Sequence, residues 1–201
     1  MNLSAYLPIK RAIDLMVSAC LLVLLSPLFC LVAVTVCVSM GRPVFFRQQR
    51  PGLHGEPFTL FKFRTMEVGS GSDGDRITRL GDFLRSSSID ELPELWNVLR
   101  GQMSLVGPRP LLMEYLPLYS DFHSRRHEVR PGITGMSQIS GRNSLLWDDR
   151  LNMDVEYVER CSFVLDLRII RRTILKVLKR EGISEPLGST MSKFTGSRGA
   201  A

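Results

Sequence analysis

Hydrophobic positions follow three rhythms along the chain. Across residues 15–40 they are continuous: about 26 residues without a charge, or ~39 Å as a straight helix, long enough for a ~30 Å hydrocarbon core. Across 44–66 the pattern is β-like. Residues 44–49 read as a short strand. Residues 58–66, rich in aromatic and β-branched side chains, read as the strongest strand, and the turn formers of 51–57 between them complete a β-hairpin. On that second strand Phe61 and Phe63 share one face and Leu60, Lys62 and Arg64 the other. Beyond it the spacing is helical: a short helix over 77–84, another opening near Ile89 or Asp90 with Leu92, Leu95, Trp96 and Leu99, and a third over 148–160 with Leu151, Val155 and Val158 as its apolar stripe.

Ser26-Pro27 interrupts the apolar run near its middle. A proline there removes one helix hydrogen bond and clashes one turn back, so a kink is expected, with the Ser26 hydroxyl available to a freed carbonyl. Each half is ~16–20 Å long, too short to cross alone. Lys10 and Arg11 precede the run and Arg42, Arg47 and Arg50 follow it. Basic flanks favour the cytoplasm, so the pattern favours a re-entrant helix that enters and leaves by one face. A kinked spanning helix is the alternative. The run is too long for a signal peptide or an ordinary core helix.

Residues 163–180 give a second membrane signal. Leu167, Ile170, Ile174, Val177 and Leu178 form one face; Arg168, Arg171, Arg172, Lys176, Lys179 and Arg180 form a basic one. Such a helix suits an anionic lipid surface or, equally, the surface of a core; a membrane-inserted N-terminus favours the first. The expected fold is α+β and mostly helical, with a re-entrant membrane helix at 1–41, a small β-hairpin and amphipathic interfacial helices in a cytosolic catalytic domain at 42–183, and a flexible tail at 184–201.

The 201 residues carry a net charge of +6, which calls for an anionic partner. Four cysteines without a CxxC pair imply reduced thiols rather than a disulfide framework. The polar loop at 68–75 lacks the Gly-Lys-Ser/Thr of a Walker loop, and His123 and His127 alone are an incomplete zinc site.

The densest chemistry lies in 86–110. A serine cluster leads into Asp90 and Glu91, with Pro93 just inside the expected helix start. Two readings stand side by side. Ser-x-x-Glu with acidic residues in a first turn is a capping box; alternatively one carboxylate is a nucleophile or a metal ligand at a helix mouth that attracts phosphate. Arg64, Arg85, Arg109 and Arg142 sit beside or near glycine- or proline-bearing turns. Carboxylates among arginines suit phosphoryl transfer: arginine forks bind phosphate oxygens, Mg²⁺ is held by one or two carboxylates plus substrate phosphates, and an aspartate can attack phosphorus.

These residues carry a resemblance. Lys62-Phe-Arg-Thr-Met66, Arg85 with Ser88-Ile-Asp-Glu-Leu-Pro93, Met103-Ser-Leu-Val-Gly-Pro-Arg-Pro110, Arg130-Pro-Gly-Ile-Thr-Gly135 and Gly141-Arg-Asn143, together with the Ser26-Pro27 break, resemble the small bacterial sugar transferases of the monotopic phosphoglycosyltransferase family. The resemblance implies an enzyme at the cytoplasmic face of the bacterial inner membrane. It would move a sugar 1-phosphate from a UDP-sugar to polyprenyl (undecaprenyl) phosphate with Mg²⁺, releasing UMP, by a ping-pong route. By position Asp90 would be the nucleophile and a Mg²⁺ ligand, and Glu91 its partner in acceptor deprotonation or metal placement. Arg109 would bind phosphate; Lys62, Arg64 and Arg85 would line the same site; Gly141, Arg142 and Asn143 would lie near the uridine diphosphate or the sugar. Two competitors are a non-catalytic membrane-surface scaffold for polysaccharide assembly and a nucleic-acid binder. The second lacks a binding motif, and aromatics do not interleave with its bases. The sugar, the final glycan and the oligomeric state, a homodimer included, are not legible.

Overall fold

A computed structural model of the chain describes residues 3–69, 73–141, 146–179 and 193–196. The described elements are α1 (Leu3–Leu24), α2 (Ser26–Met40), β1 (Phe45–Pro51), β2 (Pro57–Phe63), α3 (Asp73–Arg76), α4 (Arg79–Ser86), α5 (Glu94–Leu99), β3 (Ser104–Val106), α6 (Asp121–Ser124), β4 (Gly132–Thr134), α7 (Met136–Ser140), α8 (Trp147–Arg160) and α9 (Phe163–Lys179), with short 3₁₀ turns between some of them. The fold is mostly helical, with two two-stranded sheets.

The expected kink is present. α1 and α2 are bent by 62° across the break at Leu25. Pro27 lies in the first turn of α2, where a missing N–H leaves no bond unmade. The Ser26 hydroxyl donates to the Val23 carbonyl at 2.8 Å. No single described helix is long and apolar enough to cross a membrane; the bent pair together is, by length and composition.

α1 has two environments. Tyr6, Lys10, Asp14 and Ser18 recur every fourth residue, so they form one stripe, and all are buried against the rest of the chain. Lys10 Nζ lies 2.5 Å from Asp166 Oδ2, and the Tyr6 hydroxyl donates to that same oxygen at 2.7 Å. Asp14 accepts from the Ser104 hydroxyl at 2.7 Å and from Leu105 N–H at 3.1 Å. Arg11 donates to the Val98 and Leu99 carbonyls, closing the C-terminal end of α5. The basic residues read as a flank of the apolar run thus also dock α1. Further on, Val23, Leu24, Leu31, Val34 and Val38 face outward.

The hairpin forms as expected, with Phe45 opposite Phe63 and Pro51 opposite Pro57. Both of its faces are used. Phe63 packs with Val36 of α2 and Leu84 of α4, while Phe58 and Leu60 pack with Val98 and Met103. Asn97, fully buried on α5, stitches the helix to β2: its Oδ1 accepts from Phe61 N–H at 3.1 Å and its Nδ2 donates to the Thr59 carbonyl at 2.7 Å.

The single helix expected from Ile89 onward is two elements. Ser88 adopts a left-handed φ of 57°, Ile89–Glu91 forms a 3₁₀ turn, and α5 starts only after Pro93. The serines do not cap it. Ser88 makes no capping bond, and the Ser86 and Ser87 hydroxyls donate backwards to carbonyls at the end of α4. Asp90 and Glu91 are therefore free of capping duty.

Two short strands not expected from the pattern, β3 and β4, pair in parallel. Leu151, Val155 and Val158 are the buried stripe of α8, as expected. In α9, Asp166 and Ile169 make the buried seam, and Leu167, Ile174 and Leu178 of the apolar face stay exposed beside the bases. Of the last stretch, 193–196 is described, and there Phe194 is buried against Tyr115, Tyr119 and Trp147.

Candidate active site

The hairpin, the 3₁₀ turn, the Pro108-Arg109-Pro110 turn, α7 and the start of α8 enclose a cleft of about 1420 Å³. Its lining includes Lys62, Arg85, Asp90, Glu91 and Arg109. Residues spread over 48 positions of sequence, from 62 to 109, thus meet in one place because β2 crosses beneath the 3₁₀ turn and β3 delivers the Pro-Arg-Pro turn beside it.

Glu91 is the anchor of the cluster. Its Oε1 lies 2.6 Å from Lys62 Nζ and 2.8 Å from Arg109 Nη2. Lys62 also reaches Glu94 Oε1 at 3.1 Å. The solvated strand face that is usual for a lysine on a hairpin does not apply: Lys62 bridges two carboxylates. Among the described residues no hydrogen bond or ion pair engages Asp90, which is 8 % exposed.

The electrostatics follow from this division. Burial, reinforced by the neighbouring Glu91 charge, pushes the Asp90 carboxyl up to about 6, against the pull of Lys62, Arg109 and Arg85. Burial acts on Glu91 in the same direction, but Arg109 and Lys62 outweigh it and hold its carboxyl well below the usual range. Glu94 is pushed up to about 7 by burial and by Glu91, opposed by Lys62. Burial would depress Lys62, and the two glutamates reverse that. At neutral pH Asp90 is therefore an ionised carboxylate in poor solvation, without a cation bound to it.

The other expected residues divide. Arg85 lines the cleft and its Nε donates to the Thr65 hydroxyl at 2.9 Å. Arg64 also lines the cleft, and its guanidinium has a second task. It is 6 % exposed, and its guanidinium donates to the Met40, Gly41 and Arg42 carbonyls at 2.5, 2.6 and 3.3 Å. Those are acceptors at and just beyond the C-terminal end of α2, so Arg64 clamps α2 to the hairpin. Gly141 closes α7, whose Ser137 and Gln138 line the cleft. Arg142 and Asn143 lie outside the described residues.

Sequence reasoning missed Glu94, Arg50 and Arg126. Glu94 was the third carboxylate of the Asp-Glu-Leu-Pro-Glu run and could have been found as such. Arg50 lies in the cleft wall, where burial and the Arg109 charge lower it to about 10. Arg126 gave no local signal.

The carboxylates bear on a divalent cation. Among the described residues no group of three or more His, Cys, Asp or Glu side chains is placed to hold a metal. Glu91 and Glu94 are committed to Lys62, which leaves Asp90 as the uncommitted donor. That donor set fits Mg²⁺ shared with substrate, since Mg²⁺ takes one or two carboxylates and fills its remaining positions with phosphate oxygens and water.

Comparison with known proteins gives the family. The chain matches the bacterial sugar transferase family over residues 5–180. It is 51 % identical over 195 residues to the sugar transferase EpsL of Bacillus subtilis (strain 168), covering 94 % of this chain and 96 % of that one. It is 40 % identical over 183 residues to the UDP-glucose:undecaprenyl-phosphate glucose-1-phosphate transferase of Klebsiella pneumoniae, covering 83 % of this chain but 39 % of that longer protein. The protein of the same name from Caulobacter vibrioides (strain ATCC 19089 / CIP 103742 / CB 15) is 40 % identical over 185 residues, covering 84 % and 69 %. With the match running through α1, the hairpin, the acidic turn, the Pro-Arg-Pro turn and α9, the chain belongs to the bacterial sugar transferase family and is a transferase enzyme of that kind.

Proposed function

We propose that this enzyme transfers a sugar 1-phosphate from a UDP-sugar to undecaprenyl phosphate, releasing UMP, through a phosphosugar held on Asp90. The observation that carries the reading is Asp90 itself: a buried carboxylate without a bound cation, in a cleft whose lining also carries Arg50, Lys62, Arg85 and Arg109. Relatives named as UDP-glucose:undecaprenyl-phosphate glucose-1-phosphate transferases support the donor and acceptor classes.

In the first step an Asp90 carboxylate oxygen attacks the phosphorus that bears the sugar. The bond from that phosphorus to the bridging oxygen breaks, and the oxygen leaves with its electron pair as part of UMP. In the second step an oxygen of the lipid phosphate attacks the same phosphorus and the Asp90 carboxylate leaves, giving a polyprenyl diphosphate sugar. Arg109, Arg85 and Lys62 offset the repulsion between an anionic nucleophile and a diphosphate. Glu91 keeps Lys62 and Arg109 aimed into the site. Asp90 and the donor phosphates would hold Mg²⁺, which neutralises charge developing on the leaving phosphate.

The two-step route lets a soluble donor and a membrane-held acceptor use one site in turn. We place the enzyme on the cytoplasmic face of the bacterial inner membrane, with α1 and α2 re-entrant. The 62° bend and the outward apolar residues of both helices support this, as do the exposed Leu167, Ile174 and Leu178 of α9 next to its bases. Exposed Phe45 and Phe46 continue that apolar surface from α2 to the rim of the cleft.

The test is intact-mass analysis of detergent-solubilised protein with Mg²⁺ and a panel of UDP-sugars, without lipid. A gain of one phosphosugar, absent in Asp90→Asn, is expected. UMP release with no adduct at any time would overturn the covalent route. Topology is tested separately: in a cysteine-free background, cysteines at positions 9 and 42 should be labelled from the cytoplasmic side alone.

A further inference from the structure

The Pro108-Arg109-Pro110 turn is held by three consecutive carbonyls. Pro108 O accepts from Gly132 N–H at 3.0 Å, Arg109 O from Arg126 Nη2 at 2.6 Å, and Pro110 O from Arg50 Nη1 at 3.3 Å. The two prolines have fixed φ and no N–H, so these acceptors are the main polar handles on the backbone.

The middle handle is the deepest. Arg126 is 2 % exposed. Its Nε and Nη2 also donate to Asp154 Oδ2 at 3.1 and 2.6 Å, and the Ser137 hydroxyl donates to Asp154 Oδ1 at 2.9 Å. The guanidinium is thus fixed from α7 and α8 before it touches the turn. A buried ion pair is weak evidence for stability, because desolvation offsets much of the attraction. What distinguishes this pair is its third partner, the carbonyl of the residue whose side chain reaches Glu91 at 2.8 Å.

We propose that Arg126 is a positioning residue for Arg109, fixing the turn so that the Arg109 guanidinium meets Glu91 and the donor phosphates. The donor half of this statement rests on the function proposed above; the Glu91 half does not. Lysine is the informative replacement. It keeps a positive charge for Asp154, but its one nitrogen cannot hold Asp154 through two bonds, as Nε and Nη2 do, while also reaching the Arg109 carbonyl from a fixed plane.

Arg126→Lys should remain folded, with a melting temperature measurably below that of the parent. Its kcat/KM for the donor should fall on the order of 10²-fold, the usual penalty for an ångström-scale displacement near phosphoryl chemistry. A second arm needs no activity. Arg126 and Glu91 share no hydrogen bond or ion pair in the described structure, so the melting-temperature effects of Arg126→Lys and Glu91→Gln should add if Arg126 is merely structural, and should not add if Arg109 links them. Additive effects, or parental kcat/KM in Arg126→Lys, overturn the proposal. If Arg126→Lys does not fold, Asp154→Asn decides by the same two readouts, since it keeps Arg126 and loosens its anchor. A parent enzyme inactive with every UDP-sugar would sink the proposed activity, and the additivity arm would still decide the role of Arg126.

Discussion

Asp90 and Glu91 are adjacent on one 3₁₀ turn, yet Glu91 Oε1 lies within 2.8 Å of both Lys62 and Arg109 while neither is bonded to Asp90. The turn aims the two side chains differently, and the cations follow Glu91. One carboxylate organises the basic groups; the other stays available to react.

This division has a signature in stability. The Asp90 carboxyl is raised to about 6 from an ordinary 3.8. Above that value the native state holds an ionised, poorly solvated carboxylate that the unfolded chain solvates freely. Below an external pH of about 4 it is protonated in both states. The stability associated with Asp90 is thus present at low pH and is lost as pH rises through about 6. Asp90→Asn should therefore be more stable than the parent at pH 8, by about 1–3 kcal/mol, with the difference vanishing near pH 4. Denaturant midpoints in metal-free detergent buffer at the two pH values check this. Equal midpoints at pH 8 would contradict it.

Lys10 and Asp166 lie 156 positions apart and both are buried. Asp166 also accepts from the Tyr6 and Tyr157 hydroxyls, so it is the hub that docks α1 on α8 and α9. Asp166→Asn leaves the Lys10 ammonium without its counter-charge and should cost about 3–5 kcal/mol. Lys10→Met combined with Asp166→Asn should recover much of that, because it removes the unpaired ammonium and keeps an amide oxygen for the tyrosine hydroxyls. A single-variant loss below about 1 kcal/mol would mean that the docking does not depend on the pair.

Gly132 tests the mount of the Pro-Arg-Pro turn from the strand side. A Cβ at this position would lie 2.0 Å from Gly107 N, a backbone atom that cannot swing away. Gly132→Ala must push β4 from β3 and should cost about 1–3 kcal/mol, with an added loss of donor kcat/KM because Gly132 N–H holds Pro108 O. Unchanged donor kinetics in a destabilised variant would separate the strand pairing from the site.

Arg64 and Arg85 should behave differently although both precede the acidic turn. Arg64→Met removes the donor of three carbonyls at the end of α2 and should lower stability by about 1–3 kcal/mol, leaving donor KM of the folded enzyme unchanged. Arg85→Met, from a side chain that lines the cleft, should raise donor KM. Steady-state UMP release at several donor concentrations distinguishes the two.

Much of this was written in local pattern. The Ser26-Pro27 break, the β-hairpin and the Leu151, Val155 and Val158 stripe of α8 are encoded by residue type and period over a few neighbouring positions, so they could be read without partners. The same holds for the motif blocks that carry Lys62, Arg85, Asp90, Glu91 and Arg109. Other features have no local code. β3 and β4 are three residues each, too short for a period, and exist because they find each other across the chain. The left-handed Ser88 turned an expected capping box into a separate 3₁₀ turn. Whether an arginine pairs with a carboxylate or holds a helix end, as with Arg109 and Arg64, depends on which carbonyls and carboxylates the fold brings within hydrogen-bond reach. The sequence by itself determined the apolar break, the hairpin, the α8 stripe, the acidic pair and the motif blocks of the family, because periodicity and motif spacing are local properties. The tertiary structure alone decided that Glu91 takes the cations, that Asp90 is left without one and that Arg126 grips the backbone of Arg109, because a buried charge finds its partner through packing rather than through spacing along the chain.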